Sequence, residues 1–222
     1  MTGKTPVLLS WSGGKDSSLA LESLRHSPEW EVVGLLTTVT EEYERISMHG
    51  VRRSLLERQA AATDLPLTVV MIPPTTSNAT YEERMSRALR EMREQNVNTV
   101  AFGDLFLEDV RSYRERMLAT VGMTAIFPLW QVPTPELARR FVRTGFKAVL
   151  TCVDTSQIDE GFAGREFDQK LLLDLPPSAD PCGENGEFHT FVYEAPIFTA
   201  PIPVVVGERV LRDARFMYCD IT

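Results

Sequence analysis

The amino-acid sequence predicts an α/β protein built on a parallel sheet, followed by a smaller C-terminal α+β domain. Short apolar runs alternate with helical patterns of about 10–15 residues through the first 129 positions. A glycine-rich turn separates the first apolar run from the first helical pattern. Beyond residue 190 the sequence is rich in Val, Phe and Pro, which is typical of a short β region. Alternating strands and helices form right-handed βαβ units, so we expect parallel strands with both faces covered.

Each element follows from local composition and spacing. Leucines spaced three and four apart predict helices, and β-branched runs predict strands. Predicted strands lie at 7–9, 31–40, 67–72, 99–102, 124–129 and 148–153. Predicted helices begin at Lys15 and cover 51–63, 81–95, 109–121 and 135–144. The segment 190–221 is predicted to be β-rich, with a turn at Gly207-Glu208.

A change in character near residues 128–134 predicts two domains. Residues 1–130 are expected to form the domain built on the parallel sheet, and residues 131–222 the smaller one. The chain has 222 residues, enough for one sizeable core and a second, smaller one.

Composition excludes several classes of protein. Hydrophobic residues make up 43% and charged residues 24%, which is typical of a globular protein and excludes disorder. The formal net charge of -8 argues against an extended nucleic-acid surface. Three cysteines without a Cys-x-x-Cys spacing favour reduced thiols and a cytoplasmic location. No apolar run is long enough for a membrane span, so no membrane association is expected.

The strongest motif is the hexapeptide Ser12-Gly13-Gly14-Lys15-Asp16-Ser17, between the first strand and the first helix. It is not a Walker A loop, since Asp16 stands where Ser or Thr must follow the lysine. Two glycines allow the backbone to approach an anion, and the helix start directs N–H groups toward it. A phosphate chain is the predicted ligand, although the same residues could also form a plain helix cap.

This hexapeptide resembles the PP-loop of the ATP pyrophosphatases. Two further segments resemble the diphthine–ammonia ligase family: Gly103-Asp104 with Glu108, Arg111, Tyr113 and Arg114, and the run from Asp180 to Thr190. Together with Phe127-Pro128-Leu129-Trp130, the resemblance spans nearly the whole chain.

The resemblance implies a HUP/Rossmann-like nucleotide-binding domain of the adenine nucleotide alpha-hydrolase-like type and a C-terminal acceptor-binding domain. It implies a carbon–nitrogen ligase that uses ATP and Mg²⁺, adenylates a carboxylate and replaces AMP with ammonia supplied as ammonium. In the family the acceptor is diphthine on elongation factor 2, and a bacterial chain would amidate another carboxylate. Acyl-AMP supplies the leaving group that a carboxylate lacks, so the β- and γ-phosphates must be held while the α-phosphorus stays open.

Site residues were assigned from position and resemblance. Ser12 to Ser17 are the predicted nucleotide-binding residues, with Asp16 and Asp104 as candidate Mg²⁺ ligands. Asp104, Glu187 and His189 are the predicted catalytic residues; the last two are two apart, so an extended backbone would direct both to one face. The predicted substrate-binding residues are His49, Glu108, Arg111, Arg114, Glu184 and Asn185. Ordinary roles remain for several of them: a helix cap for Asp104, and helix-surface ion pairs for Glu108 and Arg111.

Two other functions fit parts of the sequence. A base-thiolating PP-loop enzyme would give Cys182 a chemical role, whereas a packing role would make it a small buried side chain. A non-catalytic adenine-nucleotide-binding module would leave Asp104 and the acids at 184 and 187 without a role. The sequence does not determine the oligomeric state.

Overall fold

The computed structural model describes residues 3–46, 50–74 and 77–222. In these residues the strands are β1 Thr5–Ser10, β2 Trp30–Thr40, β3 Arg45–Ile46, β4 Leu67–Ile72, β5 Thr99–Ala101, β6 Thr124–Ile126, β7 Lys147–Asp154, β8 Phe188–Glu194, β9 Val206–Arg212 and β10 Phe216–Ile221. The helices are α1 Lys15–His26, α2 Arg53–Thr63, α3 Asn78–Glu94, α4 Glu108–Ala119, α5 Thr134–Arg143 and α6 Gln169–Asp174, with a 3-10 turn at Glu160–Phe162.

The first sheet has the parallel order β4-β2-β1-β5-β6, and β3 adds a short antiparallel pair to the end of β2. Strand β1 pairs with β2 on one side and β5 on the other, through Leu8 opposite Gly34 and Val100. The strand order therefore reverses at β1. In an open parallel sheet, ligands bind outside the carboxyl ends of the strands at such a reversal.

Alternate residues of β1 enter different cores. Val7 and Leu9 join a large apolar cluster with helices α1 and α2, whereas Leu8 joins a second cluster with α3 and α4. Successive side chains of a strand point to opposite faces, so both faces of this sheet are covered. The predicted α/β class with a parallel sheet is confirmed.

The second sheet is antiparallel, with the order β8-β7-β10-β9. Residues of β7 and β8, such as Val149 and Phe191, lie in the same cluster as Val7 and Leu9 of the first sheet. The two sheets thus share one continuous apolar core. None of the described helices is long and apolar enough to cross a bilayer.

The predicted turn at Gly207-Glu208 is wrong. Both residues lie inside β9, and the turn to β10 passes through Asp213 and Ala214, which have φ values of 52° and 50°. Asp tolerates this left-handed conformation, so the turn does not require glycine. Gly207 instead permits close packing, since a Cβ there would lie 3.2 Å from the carbonyl oxygen of Asp220.

A fully buried glutamine connects the two sheets behind the glycine turn. The Gln59 side chain accepts a hydrogen bond from Trp11 Nε1 (3.0 Å) and donates to the carbonyl oxygens of Gly13 (2.9 Å) and Val192 (2.6 Å). A buried polar group without a partner is costly, so this side chain makes both sheets interdependent.

We expect Gln59→Leu to lower the free energy of unfolding by about 2–4 kcal/mol, because it removes hydrogen bonds from buried groups. Urea denaturation measures this loss. Gln169→Leu, at an exposed helix position, is the matched control and should change the free energy by less than about 0.5 kcal/mol. Equal stabilities of the two variants would contradict the assigned role of Gln59.

Candidate active site

A cavity of about 280 Å³ lies at the carboxyl ends of β1 and β5, at the strand-order reversal. One wall is the loop and helix start at 12–17, a second is the segment 102–114 after β5, and a third is the segment 182–190 leading into β8. The structure thus brings together the three segments that the sequence singled out.

The hexapeptide forms a tight turn into α1. Gly13 has a φ of 75°, a conformation that favours glycine, and its carbonyl accepts a hydrogen bond from Val192 N (2.9 Å). Lys15 N donates to Thr190 Oγ1 (3.1 Å), and Ser12 Oγ lies 3.2 Å from Ser17 Oγ. The backbone N–H groups at 16 and 17 have no acceptor within the described part of the chain, so they are available to an anion.

Two glycines allow neighbouring backbone to pack directly on this turn. A Cβ at Gly14 would lie 3.1 Å from the carbonyl oxygen of Thr190. A Cβ at Gly103 would lie 2.9 Å from the carbonyl carbon of Asp16 and 3.0 Å from Ser17 N. Both are closer than ordinary van der Waals contacts. The turn is therefore held between the end of β5 and strand β8.

Lys15 is a buried cation in the cavity wall. Its Nζ lies 2.7 Å from Asp16 Oδ2 and 5.6 Å from the centre of the Phe188 ring. Burial is the largest single influence and lowers the pKa of Lys15, but the charge and hydrogen bond of Asp16, together with the nearby Cys182 and Glu184, outweigh it, and the net shift is upward. Lys15 thus remains positively charged in the cavity.

Asp104 lines the cavity and forms a forked ion pair with Arg114. Its Oδ2 accepts from Arg114 Nε (2.7 Å) and its Oδ1 from Arg114 Nη2 (3.3 Å). The guanidinium also lies 4.5 Å from the centre of the Phe102 ring. Asp104 is therefore not the cap of the following helix, since no side chain caps α4.

Arg111 and Glu108 do not line the cavity. Arg111 lies over the rings of Phe127 (5.2 Å) and Trp130 (4.7 Å), and its Nε donates to Glu115 (2.9 Å). Glu108 is exposed at the start of α4. Residues three apart on a helix share a broad face, but of the two arginines only Arg114 reaches the cavity.

Glu184 places a half-buried carboxyl group in the cavity wall. Its Oε1 accepts a hydrogen bond from Leu105 N (2.8 Å), which ties the 182–190 segment to the end of β5. Burial raises the pKa of Glu184 to about 7; the bond from Leu105 opposes the shift, while the nearby Asp16 carboxylate adds to it. This carboxyl group therefore exchanges a proton near neutral pH.

Glu187 is buried and does not line the cavity. Its Oε1 accepts from Asp180 N (2.7 Å) and Asn185 Nδ2 (3.2 Å), and its Oε2 accepts from Asn185 N (3.0 Å). The expectation that Glu187 and His189 share a face in the site is therefore wrong. Glu187 stabilises the turn that presents Glu184, and the exposed Asn185 lies in that same turn.

His189 lines the cavity, next to the loop that carries Lys15. Burial and then the Lys15 charge lower its pKa to about 4, so its imidazole is neutral at physiological pH. His49 lies outside the described residues.

The buried positions of Cys182 and Cys152 indicate packing roles rather than thiol chemistry. Cys182 is buried at the cavity wall and donates its Sγ hydrogen to the carbonyl of Thr134 (3.4 Å). Burial raises its pKa far above the ordinary value, and raises that of Cys152 to about 11. A protonated thiol is neither a good nucleophile nor a metal ligand, which counts against base thiolation.

Several contributors to the site were missed by the sequence reasoning. The Thr190 hydroxyl, the Leu105 amide and the Gln59 side chain position the loop and Glu184. Asp180 accepts hydrogen bonds from Cys182 N (2.8 Å) and Glu184 N (3.3 Å). Only Asp180 and Thr190, within the motif at 180–190, carried a sequence signal.

The described residues contain no group of three or more His, Cys, Asp or Glu side chains placed to hold a metal ion. Asp16 and Asp104 do line the same cavity. Mg²⁺ commonly takes one or two carboxylates together with phosphate oxygens, so these two side chains fit a phosphate-bound Mg²⁺ rather than a protein-only metal site.

The fold and the cavity define a class: an α/β protein with an anion-binding turn at the strand-order reversal of a parallel sheet. Comparison with known families makes this specific. The diphthamide synthase N-terminal domain matches residues 3–125, and the diphthamide synthase C-terminal domain matches residues 133–222. The chain belongs to the diphthamide synthase family.

Similar curated proteins carry the name diphthine–ammonia ligase. The Schizosaccharomyces pombe protein is 27% identical over 219 residues, covering 89% of this chain and 36% of that protein. The Mus musculus protein is 26% identical over 125 residues, covering 54% and 47%. The Bos taurus protein is 24% identical over 229 residues, covering 91% and 84%. The chain thus spans about a third to a half of the first two relatives.

A solved structure that matches part of this chain is the U34-tRNA thiolase of Methanococcus maripaludis with its [4Fe-4S] cluster. It is 17% identical, with a TM-score of 0.39, and the match covers 63% of this chain and 57% of the thiolase.

We expect Gly103→Ala to lower the free energy of unfolding by about 1–3 kcal/mol, because the new methyl group would displace the backbone of the turn. Gly3→Ala, where a Cβ meets nothing within 4 Å, is the control. Thermal and urea unfolding measure both. Identical behaviour of the two variants would show that the turn is not held tightly against β5.

Proposed function

We propose that this chain is an ATP-dependent amide ligase that adenylates a carboxylate and replaces AMP with ammonia, acting on diphthine of elongation factor 2. The proposal rests on one cavity that has an anion-binding wall and, facing the same space, a wall with a carboxyl group that can exchange a proton. An anion-binding turn with a buried cation, Lys15, forms one wall, and a carboxyl group that titrates near neutrality, Glu184, stands on another. Relatives that carry the name diphthine–ammonia ligase agree with this chemistry.

The turn at 12–17 binds the β- and γ-phosphates of ATP. The free N–H groups at 16 and 17 supply donors, and Lys15 supplies a buried charge. The Ser12 and Ser17 hydroxyls bond to each other, and Ser17 also donates to the Gly14 carbonyl, so they become donors to the phosphates by rotating away from these partners. Holding the outer phosphates leaves the α-phosphorus accessible to the acceptor carboxylate. Asp16 and Asp104 would hold Mg²⁺, which neutralises charge on the departing pyrophosphate.

The acceptor enters from the side formed by β5 and α4. Arg114 lines this side, and its Nε and Nη2 already donate to Asp104. This pairing fixes the guanidinium before the acceptor binds, and the remaining Nη donors can bind a carboxylate or phosphate. Residues 1–130 act as the nucleotide-binding domain and also supply Arg114 at this entrance. Residues 131–222, which carry Glu184 on the facing wall, act as the acceptor-binding domain.

Glu184 accepts the proton that ammonium must lose. Ammonia is almost wholly protonated at neutral pH. In the cavity wall Asp16 pairs with Lys15 and Asp104 with Arg114, whereas Glu184 has no ion pair among the described residues, so its carboxylate can attract ammonium. A base with a pKa of about 7 takes the proton at that pH. Ammonia then attacks the acyl carbon, and the bond between this carbon and the AMP oxygen breaks with its electrons on the phosphate. The new C–N group then loses its extra proton to solvent and becomes the amide. The predicted catalytic role of Glu187 therefore passes to Glu184.

The central test incubates the chain with ATP, Mg²⁺, ammonium and elongation factor 2 that carries diphthine. We expect AMP, pyrophosphate and an amidated acceptor, detected by nucleotide chromatography and mass spectrometry. Lys15→Met should lower kcat/KM for ATP by about 10²–10³-fold, whereas Lys170→Met, an exposed lysine on α6, should leave it unchanged. Products of ADP and phosphate would refute the adenylation.

The role of Glu184 predicts a distinct pH profile. With ammonium, the wild-type rate should rise with pH and level off above about 7 as Glu184 deprotonates. Glu184→Gln can use only dissolved ammonia, so its rate should be lower and keep rising about tenfold per pH unit. Hydroxylamine, largely neutral at pH 7, should restore the variant to near the wild-type rate. The exposed Glu160→Gln is the control, and a variant equally slow with both amines would assign Glu184 to an earlier step.

A further inference from the structure

The outer edge of the second sheet is an exposed strand. All seven residues of β9 are exposed, and apolar side chains are prominent among them. Val206, Val210 and Leu211 are 48%, 39% and 49% exposed, and the preceding Val205 is 67% exposed. These four account for most of the large exposed hydrophobic side chains in the described ranges. Clustering of this kind marks an interaction surface rather than scattered surface residues.

The backbone of β9 is available for pairing. Within the described part of the chain β9 pairs only with β10, so its other edge presents unpaired N–H and C=O groups. Natural edge strands are commonly protected by proline, charged side chains, a β-bulge or very short length. The seven residues of β9 include neither proline nor lysine, and the register shift of β9 against β10 lies near its start, between Val206 and Arg209. The charges that β9 does carry are of both signs, so they can pair with those of a second strand. Another strand can therefore add to this edge.

The charges of β9 indicate which strand that is. In a two-fold antiparallel pair of identical strands, one residue lies at the centre, opposite the same residue of the second copy. Centred on Val210, the pair places Glu208 opposite Arg212 twice and an apolar contact between the two valines in the middle. On the other face, Arg209 lies opposite Leu211, where its methylene groups can cover the leucine.

Neighbouring registers are electrostatically unfavourable. A pair centred on Glu208 brings Val206 opposite Val210 twice but places the two glutamates opposite each other at its centre. A pair centred on Arg209 places two arginines opposite each other. A pair centred on Leu211 leaves only 210–212 of each strand in contact. If one strand slipped by a single residue, a residue whose N–H and C=O groups point toward the partner strand would lie opposite a residue whose groups point away, so the two could not form hydrogen bonds. The Val210 register alone combines apolar contact with matched charges.

We propose that β9 is the docking surface for a second copy of this chain, paired antiparallel about Val210. The two four-stranded sheets then form one continuous eight-stranded sheet, β8-β7-β10-β9 followed by the same strands of the second copy in reverse order. The active-site cavities lie on β8 and the first sheet, away from the shared edge, so each copy keeps its own site.

Analytical ultracentrifugation of the full chain tests this pairing. We expect a dimer at micromolar concentration. Glu208→Arg and Arg212→Glu each replace the two Glu208–Arg212 ion pairs across the two-fold axis by two pairs of like charges. Each substitution should therefore raise the dimer dissociation constant by about 10–100-fold. An equimolar mixture of these two variants should form a heterodimer, and the double variant carrying both changes should form a homodimer again.

Arg139→Glu is the matched control, because it makes the same charge change as Arg212→Glu at an exposed position of α5, outside β9. It should remain dimeric. Hydrogen exchange provides a second measurement: amides at the outer edge of β9 should be protected in wild type and exchange rapidly in the single variants. A monomeric wild-type chain with unprotected β9 amides, or a dimer unaffected by Glu208→Arg, would overturn the proposal.

Discussion

The contact on which the site depends is the docking of strand β8 onto the glycine turn after β1. Two hydrogen bonds make this contact, from Val192 N to the Gly13 carbonyl (2.9 Å) and from Lys15 N to Thr190 Oγ1 (3.1 Å). Gln59 reinforces it from behind. A side chain on Gly14 would crowd the Thr190 carbonyl, so the glycine is required by the neighbouring strand as well as by an anion.

This docking also creates the electrostatics of the cavity. The 182–190 segment covers Lys15, which keeps the cation away from water, and it carries Glu184 and His189 into the same enclosed space. Burial then acts in opposite senses on the two titratable groups: it raises the pKa of Glu184 to about 7 and lowers that of His189 to about 4. One contact between sheets therefore sets both the positions and the protonation states.

Much of the fold and site was predictable, because the signals are local. The turn at 12–17, the strand end before Asp104 and the segment 180–190 are each marked by their own residues. Which of Glu184 and Glu187 lines the cavity was not predictable, because it depends on the path of the chain between them. Gly183 and Gly186, with φ values of 68° and 86°, turn the backbone before β8 begins, so a two-residue alternation does not apply at Glu187. Contacts distant in sequence, such as Gln59 with Val192, leave no local pattern.

Ion pairs between residues 1–130 and residues 131–222 orient side chains more than they hold these two parts of the chain together. Arg140 with Glu22, and Arg45 and Arg52 with Asp220, are partly exposed, and such pairs contribute at most about 1 kcal/mol each. The apolar cluster that contains residues of both sheets, from Leu9 to Phe191, is larger in effect, because each buried large side chain contributes about 1.5–3 kcal/mol. The separation between Lys15 and Glu184 is therefore fixed by this packing, together with the hydrogen bonds from Lys15 N to Thr190 and from Leu105 N to Glu184. A phosphate-binding wall and a proton-accepting wall can then act on one substrate without a rearrangement of the sheets.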